Sequence, residues 1–167
     1  MRKLSLIFIL SVLILSCLTS AQTSVFRGIS MSDGLSDLLV NVIYKDTEGF
    51  IWIGTDNCLD RFDGTRIKHF PFDNVKTPQK RVHSIAEAGN HLLWIGNNQG
   101  LWQLAHDSEY LIQVATDMID CPVYALHYDK KGILYIGTEK GLFIYEQDDM
   151  KQVLLSNELF SAANRIK

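Results

Sequence analysis

The residues that could do chemistry in this sequence are histidines, cysteines and recurring aspartates, and none falls into a catalytic or metal-binding pattern. The five histidines are His69, His83, His91, His106 and His127. They lack the short fixed spacings of zinc ligands. Neither a glycine-rich phosphate loop nor a serine or cysteine nucleophile signature is present. We therefore expect no cofactor, no metal and no catalytic centre, and assign the histidines structural or surface roles.

Two aspartates recur at the start of an Asp-x-x-Gly segment, Asp46 with Gly49 and Asp129 with Gly132. A recurring carboxylate could serve acid–base catalysis. An aspartate that begins a turn is better explained by hydrogen bonds from its side chain to the turn's own backbone, with glycine at the position of positive φ. We interpret both segments as type I turns that close short hairpins.

The first residues have the pattern of an export signal. Arg2 and Lys3 precede an apolar run of about 15 residues, too short to span a bilayer. Small residues follow, and we expect cleavage between Ala21 and Gln22. The mature chain would then be periplasmic or secreted. A retained membrane anchor and a lipoprotein processed at Cys17 are the alternatives.

The chain has 167 residues, a formal charge of −3 and 47% hydrophobic residues, a composition typical of a globular protein. Its basic residues form no cluster larger than Lys80-Arg81. Nucleic-acid binding relies on several basic contacts to phosphate, so we expect no nucleic-acid partner. Cys58 and Cys121 occupy non-equivalent positions of the repeat described next, and we expect two separate thiols.

The sequence repeats itself with a period of 42 and then 41 residues. Aromatic residues mark the period at Trp52, Trp94 and Tyr135, each followed two positions later by glycine. A second landmark with the same spacing is the Cys-Leu or Gly-Leu pair that begins at residues 58, 100 and 141. Cys58 stands where the other copies have glycine. Either the first turn differs, or a non-glycine residue there bears a cost of about 1–2 kcal/mol at positive φ.

Each period contains four short runs of β-branched and aromatic residues separated by polar turns, which predicts four strands per copy and no helix. The predicted strands cover residues 41–45, 50–55, 59–62 and 66–70 in the first copy, 82–86, 92–96, 101–104 and 110–114 in the second, and 123–128, 133–138, 142–145 and 151–155 in the third. Asp63-Gly64 adds a two-residue turn signal between the last two strands of the first copy.

Side chains alternate between the faces of a strand, so Trp52 and Gly54 share one face and Ile51 and Ile53 the other. Both faces are therefore apolar or bare, and such a sheet must be sandwiched between similar sheets. Stacking around an axis achieves this. We predict an all-β β-propeller, in which the bare glycine of one blade admits a large side chain of the next. The structural repeat motif consists of Asp46, Gly49, Trp52, Gly54, Trp94, Gly96, Gly100, Asp129, Gly132, Tyr135, Gly137 and Gly141.

The predicted organisation is a signal peptide over 1–21, a lead-in segment over 22–40, blades over 41–78, 79–120 and 121–160, and the start of a fourth blade over 161–167. Propellers have about four to eight blades, so three and a fraction make an incomplete ring. We expect the chain to be the amino-terminal piece of a longer protein, one that would oligomerise or aggregate through its sheet faces if expressed alone.

The segment from Asp46 to Gly64 resembles the two-component-regulator propeller repeat, and the stretch from Ser32 to Ser36 resembles the one that often introduces its first blade. Residues 129–142 match the same pattern, with tyrosine in place of tryptophan. The second copy departs from it, since Ala88-Gly89-Asn90-His91 replaces the Asp-to-Gly turn. The resemblance covers about residues 26–155.

The resemblance implies a noncatalytic sensing role. In this family, typical of the Bacteroidetes, such repeats build periplasmic sensor regions of hybrid two-component histidine kinases, followed by a membrane span and cytoplasmic kinase modules. Their cues are frequently oligosaccharides released from complex polysaccharides. By resemblance, the partners are the rest of its own propeller and a second sensor protomer in a homodimer. A secreted propeller lyase or hydrolase and a protein-binding scaffold are the alternatives.

Six polar residues are candidates for contacts with a ligand, because loops on one rim of a scaffold often bind partners. They belong to the turn after the second strand in the first two copies and its surroundings: Asp56, Asn57, Arg61, Asn97, Asn98 and Gln99. A solvated turn is the alternative for each of them.

Overall fold

The structure is a computed structural model that describes residues 28–72 and 80–153. Its strands are β1 (Val40–Lys45), β2 (Ile51–Thr55), β3 (Leu59–Phe62), β4 (Ile67–Phe70), β5 (Val82–Glu87), β6 (Leu93–Asn97), β7 (Gly100–Leu104), β8 (Ile112–Val114), β9 (Val123–Tyr128), β10 (Leu134–Thr138), β11 (Gly141–Glu146) and β12 (Asp149–Gln152). One 3₁₀ helix, Met31–Asp33, precedes them. The signal peptide with its Ala21–Gln22 cleavage site and the start of a fourth blade lie outside the described residues.

The all-β prediction is confirmed, and each strand starts within two residues of its predicted position. The sequence pattern succeeds because alternation and turn residues are local features that the strand geometry satisfies directly. Among the described residues, no helix has the length and apolar character needed to cross a bilayer.

The strands form three antiparallel sheets, each with its four strands in chain order. We call β1–β4 blade 1, β5–β8 blade 2 and β9–β12 blade 3. The blades contact each other through their first strands, because β5 touches both β1 and β9. This places the first strands innermost, as in a propeller. The three described blades do not close a ring.

The hydrophobic core lies between the blades. The core between blades 1 and 2 contains Trp52, Leu59, Phe70, Phe72, Val82, Ile85, Leu93, Ile95, Trp102, Leu104 and Leu111. The core between blades 2 and 3 contains Ala86, Ala88, Trp94, Leu101, Ile119, Cys121, Val123, Leu134, Ile136 and Phe143. Among the described blades, blade 2 therefore buries both of its faces, whereas blades 1 and 3 each bury the face that meets blade 2. Trp52 and Trp94 are core residues as expected.

The glycine that follows each of these tryptophans allows the next blade to approach closely. A Cβ added at Gly54 would lie 2.6 Å from Cγ1 of Val82, and one at Gly96 would lie 2.6 Å from Cγ1 of Val123. Both valines belong to the first strand of the following blade and are fully buried. The prediction of a large side chain of the next blade beside each glycine is wrong in size: the side chain is a valine. The space left by the missing Cβ fits a branched aliphatic group.

The turn that begins at Asp46 recurs in all three blades, including the second, whose sequence departs from the pattern. Gly49 and Gly132 have φ values of 96° and 89°, and His91 takes the equivalent place with φ 59°. In blade 2 the N–H of His91 donates to the carbonyl of Ala88 at 3.1 Å, as Gly49 does to Asp46 at 3.2 Å. Blade 2 thus keeps the turn with a non-glycine residue in the left-handed region.

The turn at Cys58 differs in backbone conformation from the equivalent turns of blades 2 and 3. Of the two alternatives given for Cys58, a different turn or a strained residue, the first is confirmed. Gly100 and Gly141 have φ values of 130° and 115°, whereas Cys58 is not among the residues with positive φ. The hydroxyl of Thr55 accepts the N–H of Cys58 at 3.1 Å and donates to its carbonyl at 2.9 Å. Cys58 and Cys121 are separate buried thiols, as expected.

Two hairpins differ from prediction in their turns. The β3–β4 connection is longer than the two-residue turn that Asp63-Gly64 indicates, because Phe62 pairs with Ile67. The β11–β12 turn is tighter than expected: Gln147 and Asp148 take φ values of 50° and 63°. Two successive positive φ values form a type I′ turn, which matches the twist of a hairpin.

Candidate ligand-binding rim

The first strand of each blade carries a β-bulge at an equivalent position. In β1 the register with β2 shifts between Val40 and Val42, so Asn41 is the extra residue. The strands β5 and β9 shift in the same way at His83 and Tyr124. A bulge bends its strand and re-aims a side chain, and bulges are over-represented beside functional sites. We call this end of the blades, which also carries the β2–β3, β6–β7 and β10–β11 turns, the bulge rim.

On the bulge rim, an ion pair joins blade 1 to blade 2. Arg81 donates from Nε and Nη2 to the two carboxylate oxygens of Asp56 at 2.8 and 2.7 Å, and Asn41 donates its amide to the same carboxylate at 2.8 Å. These hydrogen bonds, that of Arg81 first, lower the pKa of Asp56, and Asp56 raises the pKa of Arg81. Because the pair is partly exposed, it orders the rim more than it stabilises the fold.

Between blades 2 and 3 the bulge rim carries a histidine and a tyrosine. Nε2 of His83 lies 2.5 Å from Oδ1 of Asn98, and the His83 ring lies 5.1 Å from the ring of Tyr124, tilted by 60°. Tyr124 is 51% exposed. An exposed aromatic ring on the same rim as amide, carboxylate and guanidinium groups has the composition of a site for a polyhydroxylated ligand, since rings contact apolar faces and polar groups bind hydroxyls.

Two of the six residues predicted to contact a ligand, Asn97 and Asn57, instead make contacts within blade 2 and with the segment before β1, respectively. Asn97 is fully buried, and its Oδ1 accepts the N–H of Gln99 at 2.8 Å and the indole N–H of Trp102 at 3.0 Å. The amide of Asn57 reaches the carbonyl of Ser36 at 3.5 Å. Asn97 therefore acts as a structural part of the β6–β7 turn.

Arg61 lies at the opposite end of blade 1, which corrects its assignment to this rim. It belongs to β3 and pairs with Trp52 of β2. Its guanidinium lies 4.4 Å from the ring centroid of Phe50 and 5.7 Å from those of Trp52 and Phe70. Stacking on aromatic faces fixes the side chain there through cation–π attraction.

The opposite end, formed by the β1–β2, β5–β6 and β9–β10 turns, carries contacts between carboxylates and polar groups across the blades. Glu87 accepts the N–H and the hydroxyl of Thr47 at 2.9 and 2.6 Å, and it lies 3.4 Å from His91. His106 lies 3.1 Å from Glu48. The Thr47–Glu87 and Glu48–His106 contacts both join blade 1 to blade 2.

Several cavities open at this opposite end of the described blades. One of about 20 Å³, beside Trp52 and Arg61, has room for a single water. A second, an open concavity of about 540 Å³, is lined among others by Tyr44, Tyr128 and Lys130. That volume suits a small ligand, so the opposite end is the alternative place for one.

Sequence reasoning does not single out Asn41, His83 or Tyr124. Their spacings of 42 and 41 residues are those of the repeat, so alignment of the copies could have placed them together. The bulge that exposes them leaves no signal of its own, because residues of three different types occupy it.

Comparison with known proteins finds one family model and a curated relative that are similar to this chain. The family model described as two component regulator propeller matches residues 34–57, which include β1 and β2. A curated histidine kinase of Formosa agariphila is 29% identical over 159 residues, covering 87% of this chain and 12% of the relative.

Two solved structures from B. thetaiotaomicron share the fold. One is the extracellular domain of a putative one component system, with a TM-score of 0.67 and 22% identity. The other is the extracellular domain of a putative hybrid two component system, with a TM-score of 0.65 and 21% identity. Each match covers 75% of this chain and 18% of the solved chain. The chain thus spans less than a fifth of the length of these relatives.

Proposed function

We propose that the chain is part of the sensor region of a hybrid two-component histidine kinase, because residues 34–57 match the two component regulator propeller model. The observation that carries this proposal is the match at residues 34–57, which lies on the blade whose design recurs twice more along the chain. The similarity to a histidine kinase over 87% of the chain supports it. On this proposal the blades lie in the periplasm, because residues 1–21, which precede them, resemble an export signal. The blades act by binding a ligand and not by catalysis.

We place the ligand on the bulge rim and infer that it is an oligosaccharide derived from a polysaccharide. The ring of Tyr124 is exposed beside His83. Asn41, Asp56 and Arg81 offer hydrogen-bond donors and acceptors on the same bulge rim. The hydroxyl groups of a sugar suit these partners, and its apolar ring face suits the tyrosine.

The proposed mechanism is a shift between two arrangements of paired sensor regions. A ligand moves such an equilibrium only as far as its affinities for the two arrangements differ. An oligosaccharide that binds preferentially to one arrangement of a homodimer would bias the kinase on the other side of the membrane. Contacts across blades, such as Asp56 with Arg81, would then differ in strength between the arrangements.

The test uses the native bacterium, with the chromosomal gene deleted or altered. Cells receive cello-, xylo- and galacturonate oligosaccharides in turn, and transcript levels of polysaccharide-degrading enzymes are measured. We expect induction by at least one sugar class in wild type, loss of it on deletion, and a loss of tenfold or more in sensitivity for Tyr124→Ala. Lys130→Ala, at the opposite end, serves as the matched control. If the deletion strain and wild type had the same transcript levels on every sugar, the sensing role for these cues would be refuted. If induction were lost only in Lys130→Ala, the ligand would instead bind in the concavity at the opposite end.

A further inference from the structure

Three metal-ligating side chains meet in blade 1, where sequence spacing predicted no metal site. Asp60 and His69 are directly paired across β3 and β4, and Cys58 precedes Asp60 by two residues on the same face. Sγ of Cys58 lies 3.1 Å and Nδ1 of His69 lies 2.7 Å from the same oxygen, Oδ1 of Asp60. The three donor atoms all lie within 4.8 Å of one another.

The two oxygens of Asp60 have separate partners. Oδ2 accepts the N–H and the hydroxyl of Ser36 at 2.9 and 2.7 Å, which fixes the carboxylate of a fully buried residue. Oδ1 is left to face the thiol and the imidazole. In metal sites a ligating carboxylate is held in this way by hydrogen bonds to its other oxygen. Ser36 thereby supplies the outer support of the cluster.

The separations of the thiol and the imidazole from Oδ1 of Asp60 are close to those of a tetrahedral zinc site. Zinc bond lengths of about 2.3 Å to sulfur and 2.0 Å to oxygen or nitrogen require ligand atoms about 3.3–3.5 Å apart. The Cys58 and His69 atoms would each need to move away from Asp60 by about half an ångström. Since the His69 side chain is 48% exposed, it can move, and solvent can supply a fourth ligand.

These donors do not belong to the design of the blade, because the other blades lack all three. The residues equivalent to Cys58 are glycines, those equivalent to Asp60 are Trp102 and Phe143, and those facing them across the strand pair are Gln113 and Gln152. Three coincident departures from the repeat, all directed at one point, indicate a function other than blade packing.

We propose that Cys58, Asp60 and His69 bind one Zn²⁺ ion. The ion replaces the hydrogen bonds that now join the thiol and the imidazole to Oδ1, and the thiol releases its proton to solvent as zinc binds. The ion then links the β2–β3 turn to the end of β4. Because Ser36 holds the same carboxylate, zinc also fastens the segment before β1 to blade 1. The site is independent of the sensing role proposed above.

The test is metal binding by the untagged full chain, measured by elemental analysis after dialysis and by titration with Zn²⁺ and Co²⁺. We expect one ion per chain and a thiolate-to-cobalt charge-transfer band. Cys58→Gly and His69→Gln introduce the residues that the other blades carry; the first should abolish the band and the second should weaken zinc binding at least tenfold. Cys121→Ala and His127→Gln, outside the cluster, are the controls and should bind as wild type does.

Circular dichroism of each variant shows whether the fold is retained. If Cys58→Gly fails to fold, Cys58→Ser and the partly exposed His69→Gln decide the question. Zinc should also raise the melting temperature of wild type but not of His69→Gln, because an ion that binds only the folded chain stabilises it. A cobalt spectrum without the thiolate band, or equal zinc affinity in wild type and His69→Gln, would overturn the proposal.

Discussion

Trp52 donates its indole N–H to Oδ2 of Asp46 across 2.7 Å, which ties the core of blade 1 to the turn that begins the same hairpin. The other oxygen, Oδ1, accepts the backbone N–H groups of Glu48 and Phe50 at 3.0 and 2.8 Å. One carboxylate thus shapes the turn and satisfies a buried indole. The interpretation of Asp46 as a turn residue is confirmed, and the bond to tryptophan adds a second role.

Replacement of Asp46 by alanine should destabilise the chain by about 1–3 kcal/mol, because a buried indole N–H loses its partner together with two turn N–H groups. Asp129→Ala is the matched control: its carboxylate holds the equivalent turn through Lys131 and Ile133 but has no tryptophan to serve. Urea denaturation of both variants gives the comparison. Equal losses would show that the indole bond contributes nothing.

Trp94 shows what happens when this carboxylate is missing. Its indole nitrogen is buried and has no hydrogen-bond partner among the described residues, and Ala88 stands where blade 1 has Asp46. Because the backbone of the turn is the same, Ala88→Asp should bring an acceptor to the indole and raise stability by about 1 kcal/mol.

The neighbouring Glu87 could offset this gain by charge repulsion, so Ala88→Asn provides the uncharged comparison. It should retain the acceptor oxygen without the repulsion, and we expect a higher melting temperature than wild type in calorimetry. A change in the wavelength of maximum tryptophan fluorescence relative to wild type would report the new contact. If both variants melted below wild type, an acceptor at this position would not serve Trp94.

The repeat, the strands and the blade stacking follow from the sequence because their causes are local. Alternation of Trp52 and Gly54 with Ile51 and Ile53 determines which faces need covering, and covering both requires neighbouring sheets. The position of Arg61 could not be read in this way. It is only four residues from Asn57, but β3 begins at Leu59 and leads away from the turn, so Arg61 pairs with Trp52 towards the other end of the blade.

The candidate sites depend on contacts that no single strand encodes. His69 reaches Asp60 only because β3 and β4 pair in the observed register, and a shift of one residue would turn it to the other face. His83 and Tyr124 meet across two blades after a bulge in each first strand. Bulges and interblade contacts are set by the packing of whole sheets, which a spacing rule does not contain.

The β3–β4 hairpin should lose stability in acid through Asp63. Its Oδ1 accepts the N–H of Arg66 at 2.7 Å and the N–H and hydroxyl of Thr65 at 2.7 and 2.8 Å. These bonds, that of Arg66 first, lower the pKa of Asp63 from 3.8 to about 2. A folded-state pKa below the unfolded value stabilises the fold above about pH 4 and loses that effect as the pH falls towards 2.

The measurement is the free energy of unfolding of wild type and Asp63→Asn between pH 2 and 7. Their difference should be constant above about pH 4 and shrink below it, since the protonated aspartate resembles the amide. Thr65→Ala removes one donor and should raise the pKa of Asp63 as followed by carboxyl NMR. Parallel stability curves over the whole range would contradict the assignment.

The contact of Gly54 with Val82 and of Gly96 with Val123 should make both glycines intolerant of a single methyl group. A Cβ at Gly54 would lie 2.8 Å from Cβ of Val82, and one at Gly96 would lie 2.8 Å from the backbone carbonyl of Val123. Overpacking of this kind costs about 1–3 kcal/mol at each glycine, because neither the Cβ of Val82 nor the carbonyl of Val123 can move away by side-chain rotation. Gly89→Ala is the control, since no atom lies within 4 Å of its added Cβ. Urea denaturation should show two destabilised variants and an unchanged control; tolerance of alanine at both tight positions would mean that the blades do not stack through these glycines.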